Sequence, residues 1–544
     1  MIFNLYFFKH FLKKLVILPV IFVIIFTLGS RCPKPDKDDD LFLLLLIFIL
    51  YQLQPKACIS NTSQAPVADP LFADQWHLLN TGINGGTAGE DIRVSPVISS
   101  GNRGENVQVV VVDDGVELNH EDIEYNVNQH FSVNYGGSNP EYAYHGTAVA
   151  GVIAASDTNG VGLHGVAPGS CLASYDLLNN YTFESEYDAM TRNIDLVDVM
   201  NNSWGPEDGL GNYVYSNPLW RESVEFGLAN GRKKKGTVYV WAAGNGGRSS
   251  PASAVEIDNS NYDGYANFYG VMAICAVGNQ GTRAFYSEKG ANLWVCTPSL
   301  GDNGIGISTT DRTGSEGFNK DGTKDYTDIS YTKRFGGTSS AAPVAAGAAA
   351  LVLKANPMLT WRDVKIILAK SARMNDPSDA DWAVNGAGYN INHKYGFGVV
   401  NAQAAVSLAT GWANVGPFKT SGQYLQSVNA AIPDNDLAGV TGSIAVAGSG
   451  ISKIEYVEIT LYSNHTYAGD LNVTLTSPGG TSSVLAEKHS CGSSGCGSIS
   501  DGWPFGSARH LDESADGTWS LKVADEALLN TGSFTSWSIR FYGR

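Results

Sequence analysis

Three short segments of this chain carry residue types that together could do nucleophilic chemistry. An apolar stretch ends at Asp113, His145 lies in a run of small residues, and Ser339 follows a Gly-Thr pair before an alanine-rich stretch. An acid that orients an imidazole, which in turn activates a hydroxyl, is the arrangement that cleaves acyl bonds through a covalent intermediate. Each residue alone would be ordinary, as a helix cap or a core or surface histidine. Their order predicts an acyl-transfer centre, with Ser340 as an alternative nucleophile by spacing alone.

The elements around these residues would bring them together. Asp113 follows a predicted strand at residues 107–112, so it should lie at the carboxyl edge of a sheet, where α/β active sites form. His145 opens a predicted helix whose glycines and alanines would let it lie close to that sheet. Ser339 would stand at the start of a helix at residues 341–354, where free backbone amides and the helix dipole favour negative charge.

The pattern of apolar residues divides the chain into a leader and two domains. Unbroken apolar runs at residues 107–112, 195–200, 237–242 and 272–277 predict strands buried on both faces, hence a parallel sheet with helices on both sides. After residue 413 the runs alternate and are separated by Gly, Asn, Ser and Pro, which is typical of an all-β sandwich. We therefore expect a targeting segment at residues 1–65, an α/β domain at 66–413 and a jelly-roll-like sandwich at 414–544.

Composition narrows the class of protein. The chain has 544 residues, 36 basic against 53 acidic side chains and a net charge of −17. Such a charge argues against a nucleic-acid partner, because few cations are available to neutralise phosphates. It suits a soluble exported protein, and acids gathered in a cleft would attract basic peptides.

The first 65 residues read as a targeting segment with two apolar runs. Lysines precede the run at residues 15–28, as in an export signal, and a second run follows at residues 41–53. The second run is short for a membrane span, which needs about 20 residues. We expect an extracytoplasmic protein, either secreted or held at a membrane only through this N-terminal segment, which could be cleaved, retained or lipidated.

Cysteine spacing leaves the disulfides partly open. Cys491 and Cys496 flank a Gly-Ser turn and could form a bridge in an oxidising compartment. Cys275 and Cys296 lie in neighbouring apolar runs, where a pair of buried thiols and a disulfide are equally compatible with the sequence.

Several motifs beyond the three segments carry a resemblance to one enzyme family. The chain resembles the subtilisin-like serine proteases, specifically the kexin and furin group of proprotein convertases with a C-terminal P domain. The likeness extends over nearly the whole chain after the targeting segment. The motifs that carry it include Asp69-Pro70-Leu71-Phe72, Ser203-Trp204-Gly205-Pro206-Glu207-Asp208, Trp241-Ala242-Ala243-Gly244-Asn245-Gly246-Gly247, Leu359-Thr360-Trp361-Arg362-Asp363 and, in the tail, Asp516-Gly517-Thr518-Trp519.

The resemblance assigns roles to residues in the catalytic domain. It implies that Asn245 donates to the oxyanion beside the backbone amide of Ser339, and that Asp113, His145 and Ser339 form the triad. Asp208 and Asp263 match the acids that bind a basic residue before the scissile bond. Asp114 matches the site for the next residue upstream, and Glu186 an acid that serves a residue further upstream.

Two positions depart from the pattern of the group. Tyr142 stands where the eukaryotic members carry a further acid before the catalytic histidine, and Gly209 follows Asp208 where they have a second aspartate. A preference for a basic residue at the first position is therefore expected, while the preference at the second position stays open.

The resemblance also implies two calcium sites. The first would use Asp69, Asp122 and Asn159 with carbonyls near Ser156 and Val161, and the second would use Asp208 and Glu288 with Asp258. Clustered carboxylates on loops suit Ca²⁺, a hard cation that prefers oxygen ligands.

These features predict a calcium-dependent serine endopeptidase that cleaves after Arg or Lys, with paired basic sites favoured. One alternative is a subtilisin-type protease of broad specificity, in which Asp208 and Asp263 serve only calcium or structure. The other is a non-catalytic protein whose β-sandwich binds a surface. Few residues separate the second apolar run from Asp69, so either a separate chaperone replaces the folding prodomain of the relatives or the fold forms unaided.

Overall fold

The structure is a computed structural model that describes residues 69–136, 143–492 and 496–544. The predicted targeting segment at residues 1–65 and the departure at Tyr142 lie outside the described residues. Within the described part, the predicted α/β domain with a C-terminal β-sandwich is confirmed.

A seven-stranded parallel sheet forms the centre of the first domain, with the strand order β2-β3-β1-β4-β5-β6-β7. Every residue of β1, β3, β4, β5, β6 and β7 is buried. The predicted runs at residues 107–112, 195–200, 237–242 and 272–277 overlap β1, β4, β5 and β6, whereas β3 and β7 were not predicted. The strands are β1 (Gln108–Asp113), β2 (Val133–Asn134), β3 (Cys171–Asp176), β4 (Val199–Asn202), β5 (Val238–Ala242), β6 (Val271–Val277) and β7 (Leu293–Pro298).

Helices and two small hairpins surround this sheet. The α-helices of the described residues are α1 (Ser95–Ser99), α2 (Tyr144–Ala154), α3 (Phe183–Thr191), α4 (Pro218–Lys234), α5 (Thr338–Ala355), α6 (Trp361–Ser371) and α7 (Ala402–Thr410). The antiparallel pairs are β8 (Ile307–Thr310) with β9 (Tyr331–Phe335), and β10 (Ala383–Val384) with β11 (Asn390–Ile391).

The central helix α5 is built from small residues so that it can lie against the sheet. A Cβ added at Gly347 would approach the Cβ of Val166 to 2.6 Å, so this contact requires glycine. Among the described helices, α5 is long and apolar enough by composition to cross a membrane, but 83% of it is buried within the domain. It is therefore a core helix. The next helix, α6, begins at Trp361 after the N-cap Thr360, whose side chain and that of Asp363 form a capping box.

The second domain consists of two antiparallel sheets packed face to face. One has the order β12-β20-β15-β18 with β13 paired to β20, and the other has the order β14-β19-β16-β17. Trp503, Trp519 and Trp537 are fully buried between them. The strands are β12 (Lys419–Thr420), β13 (Tyr424–Ile432), β14 (Asp436–Val446), β15 (Ile454–Ser463), β16 (Leu471–Thr476), β17 (Ser482–Ala486), β18 (Ile499–Ser507), β19 (Gly517–Asp525) and β20 (Gly532–Gly543).

Polar and aromatic contacts join the two domains. The Arg362 guanidinium donates two hydrogen bonds to the Glu455 carboxylate, at 2.7 and 2.6 Å, and the rings of Tyr269 and Tyr542 stack with centroids 4.1 Å apart. Both predicted cysteine pairs are disulfides. The Cys275–Cys296 disulfide joins β6 to β7, so these two residues are not the pair of free thiols that the sequence also allowed. Cys491 forms a disulfide with Cys496.

Candidate active site

Asp113 and His145 form a hydrogen-bonded pair at the carboxyl edge of the sheet. Asp113 is the last residue of β1 and is buried, and its Oδ1 lies 2.8 Å from Nδ1 of His145. A carboxylate at this nitrogen favours the tautomer with the proton on Nδ1, which leaves Nε2 free to accept a proton. Burial lowers the pKa of His145, but the charge and hydrogen bond of Asp113 outweigh burial and raise it overall.

Glycine lets the histidine helix approach the strand. Helix α2 begins at Tyr144, and Gly146 faces the turn after β1. A Cβ on Gly146 would lie 2.0 Å from the carbonyl oxygen of Gly115, so any other residue here would push α2 away from β1. The small residues around His145 therefore set the distance between the imidazole and Asp113.

Ser339 lies in the first turn of α5, and two hydrogen bonds tie it to Ser203. The Ser339 hydroxyl donates to the carbonyl of Ser203 at 3.2 Å, and the Ser203 hydroxyl donates to the carbonyl of Ser339 at 2.9 Å. The second bond has a simple cause: Pro343 has no N–H, so the Ser339 carbonyl has no partner four residues along the helix. Among the described residues, no hydrogen bond joins Ser339 to His145.

Ser340, the alternative nucleophile, has a structural environment. Its side chain is fully buried, and its hydroxyl lies 2.6 Å from that of Ser299 and donates to the carbonyl of Gly337 at 3.2 Å. Ser339 is half-buried and lines an open cleft. Access to substrate therefore favours Ser339.

Asn245 has a fixed side-chain orientation beside Ser339. Its Oδ1 accepts hydrogen bonds from the backbone N–H and the hydroxyl of Thr338, at 2.7 and 3.0 Å. Because the oxygen is held there, the Nδ2 group points away from Thr338, and it donates to Asp208 at 3.2 Å. Asn245 and Ser339 line the same cleft, so this amide is available to a charge that develops there.

The cleft has a volume of about 250 Å³ and a strongly acidic lining. Burial raises the pKa of Asp263 to about 7 and that of Asp258 to about 6. Burial, followed by the charges of Asp258 and Asp208, raises the pKa of Glu288 well above its usual range. The acidic residues that line the cleft are Glu207, Asp208, Asp258, Asp263 and Glu288. A cation bound in this cleft would be strongly favoured.

The residues predicted for the first calcium site also converge. Asn159 donates from its backbone to Asp69 at 3.1 Å and from its side chain to Asp122 at 2.9 Å. The Ser156 N–H donates to the carbonyl of Asp122 at 2.6 Å, and the Val161 N–H donates to the Asn159 side chain at 3.0 Å.

Burial and neighbouring acids disfavour the charged form of Asp122, whereas Asp69 interacts with the Arg103 guanidinium and the His164 ring. Burial raises the pKa of Asp122 to about 8, and the charges of Asp69 and Glu121 add to the effect. His164, which the sequence analysis missed, places Nε2 2.6 Å from Asp69.

Asp114 lies beside the Asp113–His145 pair. Its carboxylate accepts the N–H groups of Gly146 at 2.7 Å and His145 at 3.3 Å, and burial together with the charge of Asp113 raises its pKa. A further acid that the sequence analysis missed, Asp176, is close by. Asn179 joins the two, since its Nδ2 donates to the carbonyl of Asp114 at 2.7 Å and to Asp176 at 2.8 Å.

Glu186 is not brought into the cleft. It lies on α3 with no exposed surface and accepts a hydrogen bond from Asn217 at 3.1 Å. Burial raises the pKa of Glu186, and hydrogen bonds from Tyr181 and Tyr265 offset only part of this rise. A substrate side chain could reach Glu186 only after these neighbours moved away.

Comparison with known proteins agrees with this architecture. Residues 104–398 match the Subtilase family, and residues 454–541 match the proprotein convertase P-domain. PC3-like endoprotease variant B of Hydra vulgaris is 33% identical over 474 residues, which are 84% of this chain and 63% of that protein. The chain thus spans less than two thirds of the length of this relative.

Two further proteins are similar over most of their length. Neuroendocrine convertase 2 of Rattus norvegicus is 32% identical over 496 residues, 87% of this chain and 74% of that protein. The serine protease of Aeromonas sobria, solved in complex with the chaperone ORF2, has a TM-score of 0.78 and 25% identity and covers 90% of this chain and 97% of its own. The chain therefore belongs to the subtilase family, in the group that carries a proprotein convertase P domain.

Proposed function

We propose that this chain is an exported, calcium-dependent serine endopeptidase that cleaves after Arg or Lys. The observation that carries the proposal is the Asp113–His145 hydrogen bond of 2.8 Å at the sheet edge, together with a cleft that Ser339, Asn245 and five acids line. Membership of the subtilase family and similarity to the convertases support it.

The reaction follows from these positions. The Ser339 hydroxyl turns from the Ser203 carbonyl toward Nε2 of His145, which takes its proton as Oγ attacks the peptide carbonyl. Asn245 Nδ2 and the backbone N–H of Ser339 receive the oxyanion. His145 returns the proton to the leaving amine, and water then hydrolyses the acyl-enzyme by the same route. Asp113 holds the imidazole tautomer and stabilises its charged form throughout.

Specificity is assigned to the acids of the cleft. Asp208 and Asp263 would pair with the Arg or Lys side chain before the scissile bond through charge-assisted hydrogen bonds. Asp114, with Asp176 beside it, would favour a second basic residue, which makes paired basic sites the preferred substrate. In the broad-specificity alternative, Asp208 and Asp263 would serve only calcium or structure.

Calcium is assigned to the two carboxylate clusters because each contains a buried acid, Asp122 in one and Glu288 in the other, whose charged form is disfavoured by burial and by neighbouring acids. The charges acting on Glu288 come from Asp258, Asp208 and Asp263, all of them acidic. Bound Ca²⁺ would supply positive charge to these buried oxygens. One site would be held by Asp208, Asp258 and Glu288, and the other by Asp69, Asp122, Asn159 and carbonyls near Ser156 and Val161.

Partners and location complete the proposal. The substrates are proteins or peptides with exposed basic residues, and a separate chaperone assists folding, as the complex of the Aeromonas sobria protease with ORF2 supports. The protein acts outside the cytoplasm, secreted or attached through its N-terminal segment. A non-catalytic surface-binding role is the weaker alternative, because Asp113, His145 and Ser339 are all present.

A fluorophosphonate probe and a peptide library test the proposal together. We expect the probe to label the wild type and Ser340→Ala, but not Ser339→Ala, and we expect cleavage after Arg or Lys to be weakened by a calcium chelator. Labelling of Ser339→Ala would refute the assigned nucleophile. Equal cleavage after Phe, Leu and Arg would instead support the broad-specificity alternative.

A further inference from the structure

A loop that lines the cleft lies between the two domains. This loop, residues 208–215, begins at the pocket acid Asp208 and is here named the pocket loop. On the catalytic-domain side, the N–H groups of Gly209 and Gly211 donate to the Asp258 carboxylate, the first at 2.5 Å. The pocket loop therefore carries Asp208 and is hydrogen-bonded directly to Asp258.

The P domain holds the other side of the pocket loop. The His489 ring places Nε2 2.9 Å from the carbonyl of Gly211, and the Gly492 N–H donates to the carbonyl of Leu210 at 2.5 Å. A Cβ on Gly211 would lie 2.2 Å from the carbonyl oxygen of Ser490, so the two backbones approach as closely as glycine allows.

The P-domain segment that makes these contacts is itself firmly held. The segment consists of residues 487–492 and is here named the P-domain clamp. The Cys491–Cys496 disulfide closes its end, and the Cys491 N–H donates to the hydroxyl of Tyr467 at 2.8 Å. The Glu487 carboxylate, at the start of the clamp, lies 2.5 Å from Nε2 of His393 and 3.0 Å from Nζ of Lys289 in the catalytic domain.

His489 connects the clamp to the wall of the cleft. Its second ring nitrogen, Nδ1, lies 2.7 Å from the carbonyl of Glu487, so the imidazole bridges the clamp and the pocket loop. Its ring also stacks on Tyr262, a residue that lines the cleft, with centroids 4.5 Å apart. Burial lowers the pKa of His489, which favours the neutral ring. A neutral ring has a single N–H: if Nε2 donates it to Gly211, Nδ1 accepts from the Tyr262 hydroxyl, which lies 3.2 Å away.

We propose that His489, held by the Cys491–Cys496 bridge, is a positioning residue for the substrate pocket. This inference deepens the proposed function and rests on it: the P domain sets the geometry of the acids that bind the basic side chain, through Gly211. The triad has its own supports in β1, α2 and α5, and the Asn245 oxygen is held by Thr338, so the clamp acts mainly on substrate binding and only weakly on the chemical step.

Kinetics of full-length variants test this role. His489→Leu removes the donor to Gly211, whereas His489→Gln keeps an N–H at a similar position. A neutral hydrogen bond of typical strength corresponds to roughly a 3- to 10-fold change in affinity. We expect His489→Leu to raise KM for a Lys-Arg peptide by about that factor with kcat within twofold, and His489→Gln to restore most of the loss. Cys491→Ser with Cys496→Ser should raise KM in the same way.

A buried P-domain histidine away from the pocket provides the matched control. His510 lies 3.1 Å from the hydroxyl of Ser483 and 3.4 Å from the Glu513 carboxylate. His510→Leu should lower the thermal midpoint without changing KM. An unchanged KM in His489→Leu, or an equal rise of KM in His510→Leu, would overturn the positioning role.

The test separates the two proposals. If the wild type cleaves after residues other than Arg and Lys, the proposed specificity fails. The KM comparison on whichever peptide is cleaved still tests the clamp, because every substrate side chain before the scissile bond would occupy the same cleft.

Discussion

Replacing Asp258 by asparagine should change stability in opposite directions with and without calcium. Asp258 is only 8% exposed, close to Asp208 and Glu288, and burial raises its pKa from 3.8 to about 6. A carboxyl whose pKa is raised by folding destabilises the native state once it is ionised. The penalty grows as the pH rises from about 4 to about 6 and is complete above that.

The size of the change in stability follows from the raised pKa of Asp258. Two pKa units correspond to about 3 kcal/mol at pH 8. Asparagine removes the charge but has a single acceptor oxygen for the Gly209 and Gly211 N–H groups, and the lost hydrogen bond costs about 1 kcal/mol. In a chelator, Asp258→Asn should therefore be more stable than the wild type by about 2 kcal/mol. With calcium at about 100 times its Kd, the wild type gains about 2.7 kcal/mol per site, and the order reverses.

Thermal unfolding in chelator and in calcium measures both effects. Asp516→Asn is the matched control, because Asp516 also accepts two backbone N–H groups, from Gly448 at 2.9 Å and Ser449 at 3.0 Å, but is exposed. The control should keep the full calcium response of the wild type. Loss of stability in Asp258→Asn under chelation, or a calcium response as large as that of the wild type, would refute the reasoning.

Two further predictions concern catalysis and pH. Asn245→Ala should lower kcat by about 10²–10³, the loss found for the corresponding donor in subtilisin, with KM nearly unchanged in steady-state kinetics. A variant in which KM changes while kcat stays the same would contradict the oxyanion role of Asn245. Burial raises the pKa of Asp263 to about 7, so KM for an Arg peptide should rise as the pH falls through about 7, and calcium should move this midpoint to lower pH. KM for a Leu peptide should not show this pH dependence. A change of equal size with the Leu peptide would argue against a role for Asp263 in binding the basic side chain.

Much of the site could be predicted because its parts are local patterns. The strand that ends at Asp113, the small residues around His145 and the helix that begins near Ser339 each follow from a few neighbouring residues, and the parallel sheet brings their ends together. The family motifs then placed Asn245 and the acids of the cleft.

Other parts depend on pairing between distant segments, which spacing does not reveal. Asp176 is the residue opposite Asp113 in the β1–β3 register, so only the strand order identifies it. The sequence did point to Glu186, yet its burial beneath Tyr181 and Tyr265 depends on how α3 packs. The contact of His489 with Gly211 joins residues 278 positions apart and two domains, and no local signal predicts it.

The two halves of the site are supported in physically different ways. Asp113, His145 and Ser339 stand on a buried strand and on helices fixed by small-residue contacts, which resist deformation because a packed core leaves no free volume. The acids around Asp208 lie on loops that depend on hydrogen bonds to Asp258, on the proposed calcium ion and on the P-domain clamp. Repulsion among the buried acids of the cleft destabilises these loops. Since local stability differs across a structure, the pocket should loosen before the triad does. We therefore expect bound calcium and the P-domain clamp to affect substrate selectivity more than the chemical step.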